Sequence, residues 1–223
     1  MSDQSIQPRH RISIPKYTLG EELTNAISHG IGVIFGLVAM VLCIIKSVQA
    51  HDTYKIVSSA VFGTTIMILY LMSCLYHALK VNKAKRVFRV IDHCTIFLLI
   101  AGTYTPYTLV SLRPTIGWWV FGVIWGTAVL GIVLNAISLK RFAKLSVALY
   151  LIMGWIIVFA YKYMVSAVPA GGMTLLIWGG VAYTVGAVLY GLGSKRKYFH
   201  SVFHIFCLIG TFLHFLSIYM YVL

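Results

Sequence analysis

Apolar residues in this chain gather into seven long runs, at about 24–45, 56–79, 92–112, 116–139, 145–165, 171–193 and 199–223. Each approaches the ~20 residues that an α-helix needs to cross a bilayer. The pattern predicts an all-α polytopic membrane protein, with a polar tail over residues 1–23 and one bundle of seven transmembrane helices over 24–223. The first run is too long for a signal-peptide core and no small-residue cleavage pattern follows it, so it is expected to persist as the first helix. Pro106 interrupts the third run and is predicted to kink it, with Thr103 or Thr105 answering the freed carbonyls. Glycines at 30, 32 and 36, and at 179, 180 and 186, are expected to let helices pack closely.

Composition agrees with a lipid-soluble chain. Charged residues make up 10% of it, against about a quarter in a soluble domain. The net charge of +13 invites a nucleic-acid reading, but the cations are sorted by loop. Arg9, Arg11 and Lys16 precede the first run. Lys80, Lys83, Lys85, Arg86 and Arg89 join the second to the third, Lys140, Arg141 and Lys144 the fourth to the fifth, and Lys195, Arg196 and Lys197 the sixth to the seventh. The alternate connections hold only Lys46, Lys55, Arg113 and Lys162. The positive-inside rule then predicts a cytoplasmic N-terminus and an outer C-terminus, with no nucleic-acid partner. Cys43, Cys74, Cys94 and Cys207 lie inside apolar runs without CxxC spacing and are expected to be buried thiols.

The polar residues inside the runs are costly there and therefore informative. His200 and His204 are one helical turn apart on a common face, a spacing that can chelate a first-row metal. Ser73 and His77 share a face near the end of the second run, and Asp92 opens the third. All lie near the same membrane surface, His77 ending a helix that runs inward while Asp92 and His200 begin helices that run outward. Three histidines plus a water match the open coordination of catalytic zinc sites. Glu22, Asn25 and His29 form a polar stripe on the first helix at similar depth, read as a supporting face; Glu22 is expected to cap that helix, and His29 is not expected to bind metal. His214, ~21 Å along the axis from His200, is expected to make an ordinary hydrogen bond. His93, turned about 100° from Asp92, is given no role, and His10 and His51 are expected to be solvated.

The ordered set Glu22-x-x-Asn25-x-x-x-His29, Ser73-x-x-x-His77, Asp92, Gly102-x-Tyr104-Thr105-Pro106 and His200-x-x-x-His204 resembles the hemolysin III family, the bacterial branch of the progestin and adiponectin receptor family. The resemblance spans nearly the whole chain. It implies a multi-pass protein of the bacterial plasma membrane, with zinc held by His77, His200 and His204. It also implies that Asp92 holds the water at the metal and that Ser73 lies beside it. Alkaline ceramidases, a related family with the same histidine, aspartate and serine set, hydrolyse the amide of a membrane lipid.

Two functions follow as expectations. The first is an intramembrane zinc-dependent hydrolase of a lipid amide or ester, with Asp92 and Ser73 as catalytic residues and membrane lipids as substrates. The second is a non-enzymatic membrane sensor or homeostasis factor in which zinc only staples helices together. The cytolysis implied by the family name finds no support in uniformly apolar helices without a cleavable signal.

Overall fold

The computed structural model describes residues 14–192 and 196–223; Arg9, His10, Arg11 and Lys195 lie outside the described residues. The described chain is helical throughout: α1 (Leu19–Gln49), α2 (Thr53–Ala78), α3 (Lys83–Pro106), α4 (Gly117–Trp155), the short α5 (Tyr161–Ala167), α6 (Ala170–Leu192) and α7 (Phe199–Tyr221). Six segments, one in each helix except α5, are long and apolar enough to cross a membrane. Large apolar side chains such as Ile27, Ile31 and Ile34 face outward on α1, whereas Asn25, His29, Ser73, His77 and His204 point inward. That inversion suits a bundle whose solvent is lipid.

Each helix start and break has a local cause. α1 begins ahead of the first apolar run because Thr18 and Glu21 form a capping box. Thr18 Oγ1 accepts from the Glu21 N–H at 3.3 Å, and Glu21 Oε2 accepts from the Thr18 N–H at 2.8 Å. The capping carboxylate is thus Glu21, and Glu22, expected in that role, is released for another. Asp52 caps α2 and Asn82 caps α3. Pro106 closes α3, and the chain continues as a π-helical turn over Tyr107–Ser111, the widening that a missing N–H permits. Thr103 and Thr105 donate to the carbonyls of Leu99 and Ala101, both at 2.8 Å.

The fourth and fifth apolar runs fall in one hydrogen-bonded stretch, Gly117–Val158, of 42 residues. Straight, it would extend ~63 Å, about twice the ~30 Å hydrocarbon core. It is not straight. Ser138 has φ −162° and ψ 95°, outside the helical region, and Ser146 Oγ donates to Asn135 Oδ1 at 2.6 Å. A straight helix would hold those two residues ~16 Å apart, so the chain folds back at Ser138. Both arms lie against α3 in opposite senses. On the first arm Trp125 Nε1 donates to Thr105 Oγ1 and the Cys94 thiol reaches the Ile132 carbonyl. On the second, Tyr150 donates to the His93 carbonyl and Tyr104 to that of Gly154. Lys140, Arg141 and Lys144, expected in a loop, are helical.

Neighbouring helices close a ring in which α1 packs on α2 and α7, α2 on α3, α3 on α4, and α6 on α7. Small residues make the tightest of these contacts. A Cβ at Gly32 would sit 2.6 Å from the Tyr70 ring and one at Gly36 2.7 Å from Ile66, while Gly30 and Gly180 have room to spare. The α4–α6 join is the sparsest, and a cavity of about 1380 Å³ opens behind it. At the end of the bundle away from Glu22, Lys46 donates to the Tyr219 carbonyl and Lys55 to that of Leu223. All four cysteines are free; Cys43 is buried and the others half-buried.

Candidate metal centre

Four helix ends meet at the other end of the bundle: the starts of α1, α3 and α7 and the finish of α2. Two turns of α7 carry His200 and His204, and the last turn of α2 carries His77. His200 Nε2 lies 3.3 Å from His77 Nε2 and 3.1 Å from His204 Nε2. All three histidines are buried, and their ligand atoms lie within 4.8 Å of one another. Nitrogens bound to one tetrahedral ion at 2.0–2.1 Å stand roughly 3.3 Å apart. The spacing therefore fits a single small cation.

The surroundings fix the first of these rings. His77 Nδ1 lies 2.7 Å from Glu22 Oε2, so its N–H donates to the carboxylate and Nε2 keeps a free lone pair aimed at the other two rings. The other carboxylate oxygen, Glu22 Oε1, accepts from Lys85 Nζ at 2.6 Å. Lys85 is buried, and its ammonium also donates to the Leu79 carbonyl at 3.0 Å. Asn25 Nδ2 approaches His77 Nδ1 at 3.4 Å. His29 stacks on His204 with ring centroids 3.7 Å apart and 9° between planes. Neither His29 nitrogen has a hydrogen-bond partner among the described residues. The stripe on α1 thus does not cap the helix but supports the cluster: Glu22 orients His77 and His29 fixes the plane of His204.

Asp92 is buried in the third turn of α3, which begins at Lys83 rather than at Asp92 as expected, with Ser73 of α2 in hydrogen-bonding reach. Its Oδ2 lies 3.5 Å from His93 Nδ1, and Tyr190 of α6 meets His93 Nε2 at 3.3 Å. His93, set aside on helical geometry, therefore sits beside Asp92. His214 behaves as expected and bonds the Leu176 carbonyl at 3.1 Å. Tyr17 stacks on His200 at 5.1 Å, and burial raises its phenol pKa, keeping that lid neutral. Ser73, Asp92, His93, His200 and His204 all line the large cavity.

Sequence reasoning missed Tyr17, Glu21, Lys85, His93 and Tyr190. The first and last carry no spacing signal, and Lys85 looked like one more loop cation. Two clues were available. Thr18-x-x-Glu21 is a capping-box pattern, and a carboxylate at the membrane surface such as Glu22 calls for a cationic partner.

Comparison with known proteins gives the arrangement a family. A family profile described as "Haemolysin-III related" matches residues 17–215. The chain is 38% identical over 203 residues to "Hemolysin-3" of Bacillus cereus, covering 91% of this chain and 92% of that protein. It is 38% identical over 205 residues to the "Hemolysin-3 homolog" of Bacillus subtilis, covering 92% and 96%. A more distant match, 26% identical over 223 residues, is to the "Adiponectin receptor protein" of Drosophila melanogaster, and it covers 87% of this chain but 49% of the receptor. No solved structure matches. A profile that runs from the lid residue Tyr17 to beyond the last cavity-lining histidine, His214, leaves one conclusion: this multi-pass membrane protein belongs to the haemolysin-III-related family.

Proposed function

We propose that the protein is a zinc-dependent hydrolase of a membrane lipid amide or ester. In this reading the N-terminus is cytoplasmic, the bacterial plasma membrane is crossed seven times (twice by the two arms of α4), and the C-terminus is outside. The fold-back at Ser138 and the loop charges support that count. The observation that carries the hydrolase reading is the opening of a buried three-histidine cluster onto a cavity shared with Asp92 and Ser73. A purely structural zinc site is usually closed by four protein ligands.

His77, His200 and His204 would hold the ion through Nε2. When bound, zinc supplies Lewis acidity, lowering the pKa of water towards ~7 and polarising an acyl carbonyl. Asp92 accepts the proton of the attacking water as its oxygen bonds to the carbonyl carbon. Ser73 donates a hydrogen bond to the oxyanion that develops. The C–N or C–O bond then breaks, the Asp92 proton passes to the departing amine or alcohol, and a fatty acid is left. Tyr17 above His200 and the Glu22–Lys85 pair behind His77 exclude bulk water from two sides. Substrate enters sideways through the sparse α4–α6 join.

The rival reading, a sensor in which zinc only staples helices, draws on the Glu22–His77 and Glu22–Lys85 contacts that tie α1, α2 and α3 together. Asp92→Asn separates the two. Metal content by mass spectrometry should stay at the wild-type level while release of fatty acid from lipid amides and esters collapses. A zinc-loaded wild-type protein that releases none from any of them sinks the hydrolase.

A further inference from the structure

The cavity is asymmetric along its length. Lys16, Arg89, Lys144, Arg196 and Lys197 all line it, and all lie at the end that holds Glu22 and His77. Two carboxylates also line it, Glu21 and Asp92, but Glu21 already accepts from the Thr18 and Tyr198 N–H groups and Asp92 faces His93. Among the described residues the rim is therefore net cationic.

The cations are also in register with the wall. On the second arm of α4 and the 3-10 turn that follows it (Ile156–Val158), Lys144, Val147, Leu151, Gly154 and Val158 line the cavity, a helical stripe that begins with an ammonium and continues apolar. On α3, Arg89 precedes Asp92 by one turn, and Ile96, Leu99 and Thr103 follow. On α7 the lining runs from His200 through His204 and Cys207 to His214, ~21 Å of depth and most of the ~30 Å thickness of a hydrocarbon core. The histidine cluster lies at the boundary between charged rim and apolar shaft.

We infer that the ligand of this cavity is an acyl amphiphile whose headgroup bears an anion, carboxylate or phosphate, within a few bonds of its amide or ester. The shaft is deep enough for a long acyl chain. The carbonyl lies at the Asp92–His200 level, and the anion sits roughly one helical turn, ~5 Å, further out among the rim cations. The position of the carbonyl rests on the hydrolase reading; the preference for an anion does not. A neutral headgroup would forgo the charge-assisted hydrogen bonds that Lys16, Lys144, Arg196 and Lys197 can offer at the rim.

Binding in neutral phosphatidylcholine nanodiscs, read by native mass spectrometry, tests this. The probes are N-palmitoylglycine, its neutral counterpart N-palmitoylethanolamine, and palmitoyl lysophosphatidate. The wild type should hold at least one of the anionic probes about tenfold more tightly than the neutral amide, a difference of about 1.4 kcal/mol. Which anionic probe binds better assigns carboxylate or phosphate. The triple variant Lys144→Gln, Arg196→Gln, Lys197→Gln, all at exposed positions, should lose the preference at unchanged thermal stability and metal content. The charge-conserving variant Lys144→Arg, Arg196→Lys, Lys197→Arg should keep it. Equal affinity for neutral and anionic probes, or a preference that survives in the glutamine variant, overturns the inference. Palmitate release from the same probes is scored separately. Its absence with the anionic preference intact would remove the hydrolase and leave the binding specificity standing.

Discussion

The two halves of the bundle bury different things. Helices α1, α2, α3 and α7 bury polar side chains, including Asn25, His29, Ser73, His77, Asp92, His200 and His204. On α4 the buried polar side chains are only Asn135 and Ser146, which pair across the fold-back, and the buried residues of α6 are glycine, alanine, methionine and leucine. The first half is a polar framework in which one contact orients the next, from Lys85 to Glu22 to His77. The second is an apolar wall shaped by small residues, as where Gly131 receives the Phe97 ring. Chemistry and shape are thus assigned to different helices, and changes in one half should leave the other's property nearly intact.

The strongest way to break that division is His77→Ala or His200→Ala. Either should abolish stoichiometric zinc in the purified protein, since two imidazoles remain where an open site needs three. Retention of zinc by both variants would refute the three-histidine centre. Next comes Asp92→Asn, expected to lower lipid hydrolysis ~10²–10⁴-fold, as loss of a general base does, with zinc unchanged. Glu22→Gln removes the carboxylate behind His77 and should weaken zinc affinity ~10–100-fold in a chelator competition. The converse perturbation belongs to the wall. Gly131→Ala should cost about 1–3 kcal/mol of stability through overpacking, seen as a lower unfolding temperature with zinc stoichiometry unaltered. The smallest effect is expected from Ser146→Ala, which takes the donor from Asn135 Oδ1 at the fold-back and should cost ~1–2 kcal/mol on the same assay.

The same division explains what the sequence disclosed. His77, Asp92, His200 and His204 stood out because an ionisable side chain in an apolar run is costly, and helical spacing was enough to align them. Lys85 was misread because loop cations normally report topology, whereas this one turns inward onto Glu22. Glu21 and Glu22 are adjacent, and only the Thr18-x-x-Glu21 spacing separates the one that caps from the one that reaches His77. The polar step at Lys140–Lys144 marked a reversal of direction, but not that the backbone would accomplish it at Ser138 while remaining helical on both sides. Tyr17 and Tyr190 were invisible because aromatic residues are expected throughout a membrane protein. The apolar wall was legible as helices and illegible as a cavity, which depends on which neighbours fail to touch.

The contact between His77 and His200 joins residues 123 positions apart. At ~5–20 residues per second, the ribosome delivers the second partner ~6–25 s after the first. During that interval α1 and α2 are already in the bilayer, with Glu22 and Lys85 available to shield His77. The three histidines therefore come together only after α7 has been made, last of all the helices.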